Sequence, residues 1–210
     1  KGACFVCVTL TGRGAHGSCP EEGVSAVSYA AKIVRAIEEE LRPVLGERRH
    51  PLLGCSTVNV GRVSGGTQPN IVAERCEIDI DRRMVPGDDD AVGELRRLVG
   101  EICDGVEGLS FGVTEMAMTS VVPHTALETS EDFLLAQAAL AACREADLPS
   151  EPAGVAYWTD GGHLAANGIE TIVLGPGGIA NAHGPRDQVL VADLATGASL
   201  YQEIAARLLS

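Results

Sequence analysis

The chain has 210 residues, 45% hydrophobic, 21% charged and only 3% aromatic, a folded globular composition that excludes disorder, collagen and coiled coil and has length enough for two domains. Sixteen Lys and Arg against 29 Asp and Glu leave a net charge of −13, a field that repels nucleic acid and anionic membranes and suits a cation or a metal as partner. No apolar run approaches the roughly 20 residues of a membrane helix, no signal-peptide layout opens the chain, and seven cysteines without a CxxC pair read as reduced core thiols in a cytoplasm.

Residues 3–11 alternate, with Cys4, Val6, Val8 and Leu10 on one side, and predict a strand that runs into the glycine-rich loop Thr11 to Pro20. Val24, Val27, Ala30, Val34, Ile37 and Leu41 recur at helical spacing, so one amphipathic helix is expected over about residues 23–42, stopped by Pro43 and Gly46. Two extended runs follow, Cys55–Val63 and Ile71–Met84, joined by a loop containing Gly65, Gly66 and Asn70. Asp88 to Asp90 cap a second helix with the stripe Ala91, Leu95, Leu98 and Ile102, and a strand at about 109–118 closes the set. The order β-α-β-β-α-β over residues 1–118 is the split βαβ arrangement of a ferredoxin-like sandwich.

From residue 119 the pattern becomes α/β. A helix is expected at 131–146, a strand at 154–157, a helix beginning near Asp160, a strand at 171–174 and a final helix at 192–208. Two strands and three helices make a poor independent core, so residues 119–210 read as part of a larger domain.

Several loops hold residues able to do chemistry. His16 stands in Gly12-Arg-Gly-Ala-His16-Gly-Ser18-Cys-Pro20, as an active imidazole or as part of a plain exposed turn. Asn70 ends a loop longer than a hairpin needs. Arg83 shares a polar strand face with Asp79 and Asp81, either as a ligand clamp or as a solvated ion pair. Tyr157-Trp-Thr-Asp160-Gly-Gly-His163 joins strand to helix, and Asp160 is equally an N-cap. Gly175-Pro-Gly177-Gly178 leads to His183, on a loop past a strand end, where open α/β sheets bind ligands and where a neutral imidazole is a natural metal ligand.

Taken together and in order, these motifs resemble the C-terminal two-thirds of the zinc-dependent aminoacylase and carboxypeptidase superfamily, which includes acetylornithine deacetylase, succinyl-diaminopimelate desuccinylase and glutamate carboxypeptidase. Gly14-Ala-His16-Gly-Ser18-x-Pro20, Gly65-Gly66-x-x-x-Asn70 and Asp81-Arg82-Arg83-x-x-Pro86-Gly87 resemble its dimerisation, or lid, domain over residues 1–118. Thr159-Asp160-Gly161-Gly162, Gly175-Pro-Gly177 and Ala182-His183 resemble the returning part of its catalytic domain over residues 119–210. The resemblance implies hydrolysis of the amide bond of N-acyl amino acids or small peptides by a homodimer with one or two zinc ions, cobalt being another divalent candidate. It makes His183 a metal ligand, His16 a donor to the oxyanion in the other subunit's site, and Asn70, Arg83, Gly175 and Gly177 substrate-binding positions.

The chain also departs from that family. The family's His-x-Asp ligand pair, its bridging Asp and its Glu-Glu pair lie upstream of the lid domain, and Asp187 stands where a Glu is usual. The expectation is therefore a C-terminal portion or a shortened homologue that hydrolyses nothing by itself. The alternative is a non-catalytic dimerising module without a metal centre; a third reading, a thiol enzyme or metal sensor built on Cys19 beside His16, has no evident orienting acid.

Overall fold

Strand β1, Gly2–Thr11, alternates buried and less buried residues along its length, because successive side chains of a strand point to opposite faces. In the computed structural model, which describes residues 1–116, 124–179 and 184–209, Val6, Val8 and Leu10 of β1 are all but fully buried. They face helix α1, Ala26–Ala36, and helix α3, Ala91–Cys103, through Ala30, Ile33, Leu95 and Val99. The Ser25 hydroxyl caps α1 by accepting from the Ser28 amide at 3.2 Å, and the Asp90 carboxylate caps α3 by accepting from the Gly93 amide at 3.1 Å.

The expected stop at Pro43 is not observed. A π turn, Ile37–Leu41, follows α1 and leads directly into helix α2, Arg42–Glu47. The wider turn restarts the helix, so Pro43 falls in the first turn of α2, where its missing N–H is not needed. A short hairpin with strands of two residues each, not foreseen from the sequence, β2 Arg49–His50 with β3 Gly54–Cys55, then precedes β4, Thr57–Gly65, and β5, Arg75–Met84. Strand β6, Ser110–Glu115, completes a four-stranded antiparallel sheet in the order β4-β5-β1-β6. This is the ferredoxin-like order, with the helices on one face. Its long central ladder runs from Gly2↔Met84 to Thr11↔Arg75.

By the same alternation Arg82 points inward with Ile78 and Ile80, and it is fully buried. Arg82 Nη2 donates to Asp88 Oδ2 at 3.1 Å and to Glu94 Oε2 at 3.0 Å. Arg48, at the end of α2, donates to the other oxygens of the same two acids, at 2.8 Å to Asp88 Oδ1 and closely to Glu94 Oε1. Burial pulls the Arg82 guanidinium below its ordinary range, and the two carboxylates pull it back up. The four charges tie β5, the turn after it, α3 and α2 into one network.

Two compact units divide the described chain: Lys1–Ala126 with Val155–Trp158, and Leu127–Gly154 with Thr159–Ser210. The second unit carries α4, Leu134–Glu145, α5, Gly161–Ala166, and α6, Val191–Leu209, and its small core joins Ala138, Ala142 and Cys143 of α4 to Leu200 and Ile204 of α6. The strands expected at 154–157 and 171–174 are not strands among the described residues. A strand exists through its ladder, and neither segment has a strand neighbour there. Val173 is left exposed, while Ile172 and Leu174 pack on the small core of the second unit. Among the described residues no helix is long and apolar enough to cross a membrane.

Candidate functional site

Beyond Thr11 and Arg75 the ladder of β1 and β5 continues irregularly through the two loops that carry His16 and Asn70. Gly12 N donates to Glu74 O at 2.7 Å, Val72 N to Ala15 O at 2.9 Å and Gly17 N to Asn70 O at 2.8 Å, and His16 forms an isolated bridge with Ile71. The approach is close because residue 17 is glycine: a Cβ there would meet the Asn70 backbone at 2.9 to 3.0 Å. The structure therefore brings His16 and Asn70 together at one tip of the sheet, both exposed. An open groove beside them, between the start of α1 and the 65–73 loop, is lined by Ser25, Ser28, Tyr29, Thr67, Gln68 and Ile71.

The His16 ring is turned back onto its own loop. Its Nδ1 lies 2.7 Å from Ser18 Oγ and accepts from the Ser18 amide at 3.2 Å. Cys19 Sγ lies 3.7 Å from Ser18 Oγ, so the serine hydroxyl stands between the thiol and the imidazole. Elsewhere burial pushes the Cys4 thiol up to about 11 and raises Cys7, Cys76 and Cys103, which keeps those thiols protonated. All seven cysteines are free.

Arg83 stands at the opposite tip. It pairs with Asp81 on its own strand, Nε to Oδ1 at 2.8 Å and Nη2 to Oδ2 at 2.9 Å, while its guanidinium carbon lies 5.4 Å from the centre of the Phe5 ring. Asp79 pairs instead with Arg62 at 2.7 Å. The segment Val155–Trp158 packs at this end: Lys1 N donates to Val155 O at 3.0 Å, Ala3 N donates to His124 O at 2.9 Å, and the His124 and Trp158 rings lie 4.0 Å apart. Eight strand steps separate Arg75 from Arg83, roughly 26 Å at the rise of a β-strand. Within one chain Arg83 is thus kept far from His16 and Asn70.

In the second unit Gly175 and Gly177 are exposed on a loop held to α6. Tyr201 Oη donates to Leu174 O at 2.7 Å, Gly197 sits against Pro176, and Gly177 has a φ of 84°, a conformation that favours glycine. Asp160 occupies the N-cap of α5, but its side chain makes no capping bond. His183 lies outside the described residues. Among the described residues no group of three or more His, Cys, Asp or Glu is placed to hold a metal ion. The described residues do not by themselves make a metal centre. Two residues carry more than the sequence reading gave them. Ser18 bonds the imidazole, a role visible only as a hydroxyl two residues from a histidine. Arg82 had a clearer signal, because strand alternation placed it inside and acids followed it closely.

Residues 1–105 match the peptidase dimerisation domain. The chain belongs to that family. This dimerisation-domain chain is 27% identical over 199 residues to an acetylornithine deacetylase of Myxococcus xanthus, covering 92% of this chain and 50% of that protein. It is 24% identical over 195 residues to a peptidase M20 domain-containing protein of Schizosaccharomyces pombe, covering 92% and 40%. Solved structures share the fold. A tripeptidase from Staphylococcus aureus superposes with a TM-score of 0.77 at 22% identity, covering 97% of this chain and 50% of that one. A dinuclear metal binding M20 peptidase from Bacillus subtilis gives 0.70 at 16%, covering 99% and 50%. The chain spans about half the length of the curated relatives it matches.

Proposed function

We propose that this chain serves a metal-dependent hydrolase cleaving the amide bond of N-acyl amino acids or small peptides, as the dimerisation domain and the closing part of the catalytic domain of a cytoplasmic homodimer. The observation that carries the proposal is the separation of His16 and Asn70 from Arg83 along the continuous β1–β5 ladder of one sheet. One chain cannot close those groups on a small substrate; a second copy can supply the missing pair. In that site the His16 imidazole donates to the oxygen that becomes negative as the carbonyl is attacked, and Asn70 hydrogen-bonds polar substrate groups. Arg83 exchanges Asp81 for the substrate carboxylate, and Gly175 and Gly177 are the substrate-binding positions proposed in the second unit. Zinc, with cobalt as another divalent candidate, is the metal proposed for the whole protein, and His183 is this chain's contribution to holding it.

The test is metal analysis and turnover of N-acyl amino acids by the longest product of the gene. It should carry zinc, and His183→Ala should remove metal from one site together with the turnover. Unchanged metal and rate would sink the assignment of His183, and a product that dimerises without metal or turnover would be a non-catalytic interaction module. Arg83→Lys should mainly raise KM for substrates bearing a carboxylate, since an ammonium cannot reproduce the planar fork. An equal loss on uncharged substrates would reassign Arg83 to a structural ion pair with Asp81.

A further inference from the structure

The ring nitrogen that faces the His16 loop has two neighbours that fix its state. The Ser18 backbone amide, 3.2 Å from Nδ1, can only donate, so Nδ1 of the neutral ring accepts and carries no proton. The Ser18 hydroxyl, 2.7 Å from the same nitrogen, then has one way to bond it, as a donor. Its oxygen stays open to the Cys19 thiol at 3.7 Å, giving a one-way chain of donors from Cys19 through Ser18 to His16. The proton of the neutral imidazole is left on Nε2, the far side of an exposed ring.

We propose that Ser18 is a positioning residue that holds neutral His16 as the Nε2–H tautomer, so that the ring offers its partner site a hydrogen-bond donor and no competing acceptor. The tautomer follows from this chain's own geometry. Its catalytic value rests on the function proposed above, because only a donor stabilises a developing oxyanion. With the other tautomer Nε2 would present a lone pair to that oxygen and repel it.

Long-range proton–nitrogen correlation of the imidazoles in the 210-residue chain tests the tautomer, with His16 assigned by the signals lost in His16→Gln. Wild type should show an unprotonated Nδ1 and a protonated Nε2. Ser18→Ala keeps the amide donor and loses the shorter hydroxyl bond, so it should move both nitrogens part of the way toward averaged positions, and Ser18→Thr should restore them. His50, whose Nδ1 accepts from the Leu52 and Leu53 amides at 3.2 and 3.3 Å, is the internal reference and should not move. A proton on Nδ1 in wild type, or identical His16 nitrogens in Ser18→Ala, overturns the proposal. In the longest gene product that turns over substrate, Ser18→Ala should lower kcat by about tenfold at constant KM, the scale of one hydrogen bond. The same substitution should cost nothing further in a His16→Ala background, and an equal loss in both backgrounds also overturns it. Unimpaired turnover in His16→Ala with the tautomer intact would instead overturn the catalytic role of His16, so the two failures are distinguishable.

Discussion

His16→Ala in the longest active product should lower kcat by roughly 10²–10³, the cost of removing one oxyanion donor, and leave metal content unchanged. The imidazole is exposed and its bonds are local to its own loop, so its removal leaves the core of the sheet untouched. A fold defect would therefore not account for the loss. The decisive form of the experiment mixes two crippled proteins. In a mixed dimer of His16→Ala and Arg83→Ala protomers, one site contains both substitutions and the other neither, so mixing should restore activity that each parent lacks. No recovery after demonstrated subunit exchange would mean that His16 and Arg83 do not meet across a dimer, and a normal kcat for His16→Ala would return the residue to an ordinary turn.

The second large effect concerns stability. Arg82→Ala should destabilise the first unit by about 3–5 kcal/mol, because it leaves carboxylates facing one another in the interior. The Asp88 side chain is 3% exposed and that of Glu94 13%, while Arg48, the cation that remains, is 35% exposed. Asp88→Ala should cost a similar amount by stranding the fully buried guanidinium. The double replacement Arg82→Met with Asp88→Leu should cost less than either single change, since an apolar pair needs no charge compensation. Urea unfolding followed by circular dichroism measures all three. A loss below about 1 kcal/mol for Arg82→Ala, the worth of a surface pair, would show that the network is open to water.

Most of the first unit was legible because burial there follows local periodicity. The alternation at Val6, Val8 and Leu10 located β1, and the stripes through Ile33 and Leu95 located both helices. The end of the first helix was not legible from Pro43, because a proline tolerated in a helix's first turn stops nothing once a π turn has restarted the helix ahead of it. Residues 154–157 and 171–174 look like strands by composition, but composition cannot supply hydrogen-bonding neighbours. Sequence motifs named candidate residues but could not give their arrangement. Asn70 and His16 meet through backbone bonds to Gly17 that no side-chain pattern announces, and Arg82, counted with Arg83 in one motif, turns to the opposite face because adjacent residues of a strand point to opposite sides.

The length of the β1–β5 ladder has a consequence in solution kinetics. On the reading that the two tips of the sheet serve different active sites, specific activity is a function of protein concentration. It should fall on dilution below the dimer dissociation constant, recover on reconcentration, and become proportional to protomer concentration at the dilute limit, where the total rate follows the square of that concentration. Abundance would then set catalytic capacity more steeply than in proportion, with no effector required.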